Sequence, residues 1–196
     1  MNRMFTTQQM VKISILAVIG TILTIINMSV PGFPPFLKLD LGNIPAVIGA
    51  IAMGPMAAVF IELIKNLLKF IVDTSTGGIG EFANFMVGIG YIIPFAIIYK
   101  KNPTKKGFII GATVGVIVMT IMGAVLNYFV LIPMYAILMG GQELIISMAA
   151  VANSSITDLR TLILIGIIPF NMFKGIVVSV VGYALYQSLK PVINRL

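Results

Sequence analysis

Residues 162–185 read LILIGIIPFNMFKGIVVSVVGYAL, an apolar stretch long enough to cross a membrane as one helix. Two polar residues, Asn171 and Lys174, lie one helical turn apart within it. A lysine at the centre of a membrane helix costs about 2.5–3.5 kcal/mol on insertion scales. Either a protein partner or a bound ligand must offset that cost. Which of the two does so separates a structural membrane protein from a transporter.

The composition places the whole chain in a membrane. Of its 196 residues, 59% are hydrophobic and 10% are charged, whereas soluble domains are about 45–50% apolar and about 25% charged. The length suits a single membrane-embedded domain over residues 1–196. Cysteine and histidine are absent from the sequence, which removes the usual metal ligands, the thiol nucleophile and the common general base.

The sequence also contains no G-x-x-x-x-G-K-[ST] phosphate loop. We therefore expect neither an enzyme nor a metal site, and any uphill transport would need an energising partner.

Apolar runs mark the membrane spans. They cover residues 9–28, 43–72, 82–99, 108–133 and 162–188. The basic loop at 100–106 and the basic residues near both chain ends go to the cytoplasm by the positive-inside rule; these residues are Arg3, Lys12, Lys190 and Arg195.

The sides of the membrane assigned to these basic loops then decide how often residues 43–72 cross it. For 82–99 to run inward, the 43–72 block must cross twice, with a break at Met53-Gly54-Pro55. The prediction is an all-α integral membrane protein with six transmembrane helices and both termini cytoplasmic. Its second helix, at about 43–57, is short for a membrane span.

Polar residues are predicted to converge in the outer half of this bundle. One face of the third helix carries Glu62, Lys65, Asn66 and Lys69, at positions i, i+3, i+4 and i+7. One stripe of the fourth helix carries Glu81, Asn84, Gly88 and Tyr91. Asn127 lies in the outer third of the fifth helix. The sequence therefore predicts a site open to the exterior, with segment 134–161 as a candidate lid.

Purely structural roles are the alternative for several of these residues. Glu62 with Lys65, and Lys69 with Asp73, have the spacing of ion pairs within one helix. Asn84 and Asn127 also suit hydrogen bonds between helices. Lys174, by contrast, has no carboxylate within one turn of its own helix, which favours a ligand.

The first helix carries a stripe of small residues. Ala17, Gly20, Thr21 and Thr24 recur at helical spacing and would let another helix approach closely. The stripe suits packing inside the bundle or docking against a separate subunit.

Six motifs in order resemble one family. They are residues 33–46 (FPPFLKLDLGNIPA), 54–55 (GP), 62–68 (ELIKNLL), 80–85 (GEFANF), 126–129 (LNYF) and 168–175 (IPFNMFKG). Together they make the chain similar, over residues 9–188, to the riboflavin-specific S components of energy-coupling factor (ECF) transporters.

The resemblance implies a six-helix protein that captures riboflavin from outside. It also implies a transmembrane coupling subunit and two cytoplasmic ATPase subunits as partners, and no cofactor, since riboflavin is the transported substrate. The implied contacts to the isoalloxazine edge are Asn127, Asn171 and Lys174. The other implied substrate-binding residues are Leu37, Lys38, Leu39, Asp40, Gly80, Glu81 and Asn84. Docking to the coupling subunit would use Ala17, Gly20 and Thr21.

Other functions remain open from the residues alone. They are an S component for another vitamin such as thiamine or pantothenate, a small channel or passive facilitator, and a membrane scaffold without a ligand. A scaffold predicts that Asn171 and Lys174 pair with other side chains.

Overall fold

The computed structural model describes residues 4–193, with side chains described through residue 188. Its longer helices are α1 (Thr7–Ile25), α2 (Ile44–Met53), α3 (Pro55–Val72), α4 (Ile79–Lys101), α5 (Lys105–Leu126) and α9 (Ile168–Ile193). Shorter helices are α6 (Ile132–Met139), α7 (Gln142–Ala150) and α8 (Leu159–Thr161). A two-stranded antiparallel ribbon joins β1 (Met28–Ser29) to β2 (Lys38–Leu39), a feature that the sequence did not suggest.

Two π-helical turns lie within the long apolar helical segments. The turn Asn127–Leu131 joins α5 to α6, and the turn Leu162–Ile167 joins α8 to α9. The resulting continuous helical segments, Lys105–Met139 and Leu159–Ser188, are long and apolar enough to cross a membrane, as are α1 and α4. The fold is thus that of a helical membrane protein, as predicted.

The break at Gly54 is a tight helical hairpin. Gly54 has φ 91°, which glycine adopts without strain, and Pro55 begins α3. Nζ of Lys65 donates a hydrogen bond to Oδ1 of Asn43 over 3.1 Å, so residues eleven positions before and after the break lie side by side. The predicted helix pair is confirmed, and a single kinked helix is excluded.

The two arms of this hairpin differ from an ordinary membrane helix. The ten residues of α2 span about 15 Å at 1.5 Å per residue, roughly half of a hydrocarbon core of about 30 Å. The eighteen residues of α3 are long enough to cross, yet they include three charged side chains, Glu62, Lys65 and Lys69.

The two ends of the bundle have different chemistry. One end, here called the loop end, holds residues 26–43 and 73–78, whereas the other, the lysine end, holds the loop at 100–106. The lysine end is filled by buried aromatic rings from α4, α5 and α9, with Tyr99 donating a hydrogen bond to Tyr186 over 2.8 Å. This packing is not that of a water-filled channel.

The basic residues assigned to the cytoplasm are only partly described. Lys12 lies in the first turns of α1, at the lysine end. Arg3, Arg195 and the side chain of Lys190 lie outside the described part of the chain.

The small-residue stripe of α1 packs inside the bundle. Ala17 is fully buried, and Thr21 and Thr24 are 6% and 3% exposed. Oγ1 of Thr21 donates a hydrogen bond to the carbonyl of Lys65 over 3.2 Å, and a β-carbon at Gly20 would lie 3.1 Å from the carbonyl oxygen of Gly42. Of the two roles predicted for the stripe, packing inside the bundle is confirmed, and docking of a separate subunit through Ala17, Gly20 and Thr21 stays a prediction.

The segment between α5 and α9 folds over the loop end. Two short helices, α6 and α7, pack on each other and on the π-helical turns, and α8 begins at an N-cap on Asp158. Hydrogen bonds from the backbone and hydroxyl of Thr161 lower the pKa of Asp158 below its usual value. The region predicted as a candidate lid thus forms part of the cavity wall described next.

Candidate functional site

A cavity of about 720 Å³ opens at the loop end. Its polar lining comes from the segment before α2, from the ends of α3 and α4, and from the two helices that carry π-helical turns. Its apolar lining includes Phe36, Leu37, Val87, Leu131, Ile132, Leu138, Met139, Ile145, Met148 and Phe170. An apolar pocket with a few convergent polar groups is typical of a small-molecule site.

All but one of the predicted substrate-binding residues line this cavity: Leu37, Lys38, Asp40, Gly80, Glu81, Asn84, Asn127, Asn171 and Lys174. Leu39 does not. Leu39 is the last residue of strand β2, between Lys38 and Asp40. Because successive side chains of an extended chain point to opposite sides, the side chain of Leu39 points away from the side on which Lys38 and Asp40 lie. The fold thus brings to one cavity residues that are more than one hundred positions apart in sequence, such as Leu37 and Lys174.

Lys174 has a partner that its own helix does not supply. Its Nζ lies 2.6 Å from Oδ2 of Asp40, and both side chains are less than one-tenth exposed. Asp40 is also fixed from its other oxygen, because Oδ1 accepts a hydrogen bond from the backbone N–H of Gly42 over 2.9 Å. Lys174 has no carboxylate within one turn of its own helix, as the sequence indicates, but this does not favour a ligand, since a carboxylate arrives from a loop 134 residues away.

This ion pair does not use all the hydrogen-bond donors of Lys174. An ammonium group carries three donors, and Asp40 is its recorded partner within the described residues. Because both members of the pair also line the cavity, Lys174 can hold its counter-charge and still donate to a ligand.

The two site asparagines share one arrangement. Asn127 begins the first π-helical turn and donates from Nδ2 to the carbonyl of Gly123 over 2.8 Å. Asn171 follows the second turn and donates from Nδ2 to the carbonyl of Ile167 over 2.9 Å. Each bond runs back four residues in its own helix. The alternative role of Asn127, a hydrogen bond between two helices, is therefore not what the structure shows.

These bonds fix the direction of each amide. In the described part of the chain, neither Oδ1 accepts a recorded hydrogen bond, and each amide retains a second N–H. Asn127 and Asn171 therefore present both donors and acceptors to the cavity. π-helical turns of this kind often occur at functional sites because they displace side chains from the regular helical register.

Gly123 brings the two asparagines together. Its carbonyl accepts the bond from Asn127, and its missing side chain leaves room for Asn171, because a β-carbon there would lie 2.8 Å from Nδ2 of Asn171. The amide of Asn171 can keep this orientation only while position 123 stays small.

The cavity rim holds a cluster of charged and hydroxyl groups. Lys69 lies 3.2 Å from Oε1 of Glu81 and 3.5 Å from Oδ2 of Asp73. Oε2 of Glu81 accepts hydrogen bonds from Thr74 and Thr76. The predicted pair of Lys69 with Asp73 is confirmed, but Glu81 is a second and less exposed partner. Glu81 therefore already has protein donors on both oxygens.

A second buried ion pair lies within α3, outside the lining of the cavity. Nζ of Lys65 is 2.6 Å from Oε2 of Glu62, and both side chains are fully buried, which confirms the predicted pair within α3. A β-carbon at Gly88 would lie 2.7 Å from the same Oε2. Residue 88 of α4 therefore has no room for a side chain beside this ion pair. Oε1 of Glu62 and Oδ1 of Asn66 have no hydrogen-bond partner among the described residues.

Several lining residues were not predicted from the sequence. They include Thr24, Phe36, Thr76, Tyr135, Ile145, Met148 and Phe170. Phe170 could have been found, because it directly precedes Asn171 in sequence. Lys69, which also lines the cavity, belongs to the polar face of α3 that was predicted to converge on the site. The residues of α6 and α7 carry no comparable signal, since their apolar character suits a helix surface in lipid equally well.

Comparisons with known proteins point to one family. Residues 8–186 match the family described as ECF transporter, substrate-specific component. The chain is 35% identical over 190 residues to the riboflavin transporter FmnP of Bacillus subtilis, covering 96% of this chain and 95% of that protein. It is 36% identical over 189 residues to the riboflavin transporter RibU of Staphylococcus aureus, covering 96% and 94%.

A solved structure supports the same assignment. It is described as the S component of a bacterial ECF transporter, and it superposes with a TM-score of 0.75 at 34% identity, covering 95% of this chain and 97% of the other. This family consists of transporter components, so the prediction that the chain is not an enzyme is confirmed. The chain is thus a multi-pass bacterial membrane protein that belongs to the family of ECF transporter substrate-specific components.

Proposed function

We propose that the chain is the riboflavin-binding S component of an ECF-type vitamin importer. The observation that carries the proposal is the convergence of Asn127, Asn171 and Lys174 on one cavity, in a chain about one-third identical to proteins named as riboflavin transporters. The proposal takes residues 1–196 as one membrane-embedded substrate-binding domain.

The chemistry of the cavity suits a flavin. The edge of an isoalloxazine ring carries carbonyl acceptors and a ring N–H donor. Lys174 offers donors, and each asparagine amide offers a donor and an acceptor, so the three side chains can match that edge. The apolar walls suit the flat ring, and the rim around Glu81 and Lys69 suits the hydroxyl groups of the ribityl chain.

The charge of the lining agrees with an uncharged ligand. Three lysines, Lys38, Lys69 and Lys174, face three carboxylates, Asp40, Asp73 and Glu81. Four of these groups form the Asp40–Lys174 pair and the pair of Lys69 with Glu81. A neutral vitamin would therefore meet no unbalanced charge.

We propose the following topology and partners. Six transmembrane helices, formed by α1, α2, α3, α4, the α5–α6 segment and the α8–α9 segment, place both termini and the lysine end in the cytoplasm. The loop end with its cavity then faces outward. A transmembrane coupling subunit and two cytoplasmic ATPases drive delivery inward. With Ala17, Gly20 and Thr21 buried, the coupling subunit would meet the exposed apolar side of α1 unless the bundle rearranges.

Riboflavin binding is expected to be direct and selective. The purified chain should carry a yellow flavin, and the ligand-depleted protein should quench riboflavin fluorescence saturably at one site per chain. Thiamine and pantothenate at tenfold excess should not displace it, since neither presents a flat tricyclic edge to the asparagines. Displacement by one of them would assign the chain to another vitamin, and flux of riboflavin through proteoliposomes containing this chain alone would indicate a facilitator instead.

A further inference from the structure

We propose that Asp40 is a positioning residue for the substrate-binding lysine, and that it acts on the ligand only through Lys174. The inference rests on the proposed riboflavin function. Its first support is the direct pair, in which Nζ of Lys174 lies 2.6 Å from Oδ2 of Asp40 at a buried position. Of the distances recorded between charged groups in the described chain, this one joins the most distant parts of the sequence.

The second support is that Asp40 is itself held rigidly. Its Oδ1 accepts a hydrogen bond from the backbone N–H of Gly42 over 2.9 Å. Gly42 in turn sits directly against α1, where a β-carbon would overlap Oγ1 of Thr24 and lie 2.9 Å from the carbonyl oxygen of Gly20. The carboxylate is therefore anchored to α1 through a backbone contact that admits only glycine, and it presents a fixed oxygen to α9.

The third support comes from what Lys174 would do without this anchor. A lysine side chain has four rotatable bonds, so an ammonium group without a partner at this position can turn toward water. That rotation would remove the donor that we assign to a flavin carbonyl. A neutral ligand cannot replace the missing negative charge. Asp40 thus holds Lys174 in a position directed toward the cavity.

The position of Asp40 separates this role from direct ligand contact. Both carboxylate oxygens have protein donors, Gly42 on Oδ1 and Lys174 on Oδ2. Glu81, at the rim, also has protein donors on both oxygens, but its partners do not include any of the three side chains assigned to the ring edge. A positioning role is accordingly specific to Asp40 among the acidic residues that line the cavity.

A double-mutant cycle tests the proposal, with riboflavin affinity measured by fluorescence quenching. We expect Asp40→Asn to weaken binding about tenfold and Lys174→Met to weaken it at least tenfold. In the Lys174→Met background, Asp40→Asn should change the affinity less than twofold, because its only route to the ligand is gone. Asp158→Asn is the matched control, since Asp158 lies outside the cavity and asparagine is an equally good N-cap.

Two results would overturn the proposal. One is a loss of affinity from Asp40→Asn that persists in the Lys174→Met background, which indicates direct contact or loss of loop structure. The other is an Asp40→Asn variant with unchanged or tighter binding. If Asp40→Asn does not fold, Asp40→Glu gives the same cycle, because it keeps the charge and displaces the carboxylate by one methylene group. Failure of the unmodified protein to bind riboflavin would instead refute the proposed function.

Discussion

Replacing Lys65 by methionine is expected to destabilise the bundle by about 3–5 kcal/mol, the usual cost of removing one partner from a buried ion pair. Lys65 is fully buried and contacts both Oε2 of Glu62 and Oδ1 of Asn43. Its loss would leave a carboxylate with no counter-charge, whose other oxygen already lacks a hydrogen-bond partner among the described residues. For a chain of this size, the melting temperature in detergent should fall by roughly 6–20 °C.

The matched experiment removes both charges together. The double variant Glu62→Met/Lys65→Met leaves no unpaired charge, and apolar residues of similar volume often replace a buried pair without net loss. We expect it to recover most of the lost stability. Lys100→Met serves as the control for losing an exposed lysine and should change stability by less than about 0.5 kcal/mol. A Lys65→Met variant as stable as the Lys100→Met control would show that the pair is not needed for the fold.

Substituting alanine for Gly123 should weaken riboflavin binding by one to two orders of magnitude while the protein remains folded. The new β-carbon would lie 2.8 Å from Nδ2 and 3.1 Å from Cγ of Asn171. Since these atoms belong to the end of a side chain, the bundle can relieve the clash by turning the amide away. The ligand then loses hydrogen bonds worth about 1–3 kcal/mol when their partners are left unpaired.

The control for this change is another glycine-to-alanine substitution on a packed helix. At Gly182 in α9, a β-carbon would meet its nearest neighbour, Cγ1 of Val47, at an ordinary 3.6 Å. Gly182→Ala should leave both the affinity and the melting temperature close to those of the unmodified protein. Equal affinities for Gly123→Ala and Gly182→Ala would exclude Asn171 from the binding site.

Most of the helical architecture could be predicted from the sequence, because membrane spans are long apolar runs with clear limits. The hairpin at Gly54 was predicted from the positions of the basic loops alone, through the positive-inside rule. The polar face of α3 followed from helical periodicity, and its Glu62–Lys65 pair from a spacing of three residues. These features depend on residues that are close in sequence, so they could be predicted from a single sequence.

Features that depend on distant neighbours were less predictable. The pairing of Asp40 with Lys174 requires the loop before α2 to reach α9, and neither residue carries a local signal of the other. The α1 stripe predicted close packing but not which neighbour it meets, since small residues admit any close helix or backbone. The π-helical turns left no trace in the hydropathy pattern, and the assignment of individual residues to a flavin came from resemblance to a family.

The shortness of α2 has a consequence for how the cavity could change over evolution. A helix of about 10 Å diameter that continued α2 for another 15 Å would occupy about 1,200 Å³, the same order as the cavity of about 720 Å³. The site can therefore be regarded as the omitted half of one helix, partly refilled by residues 26–43. Changes in the length or bulk of that loop would resize the compartment without disturbing the aromatic packing at the opposite end.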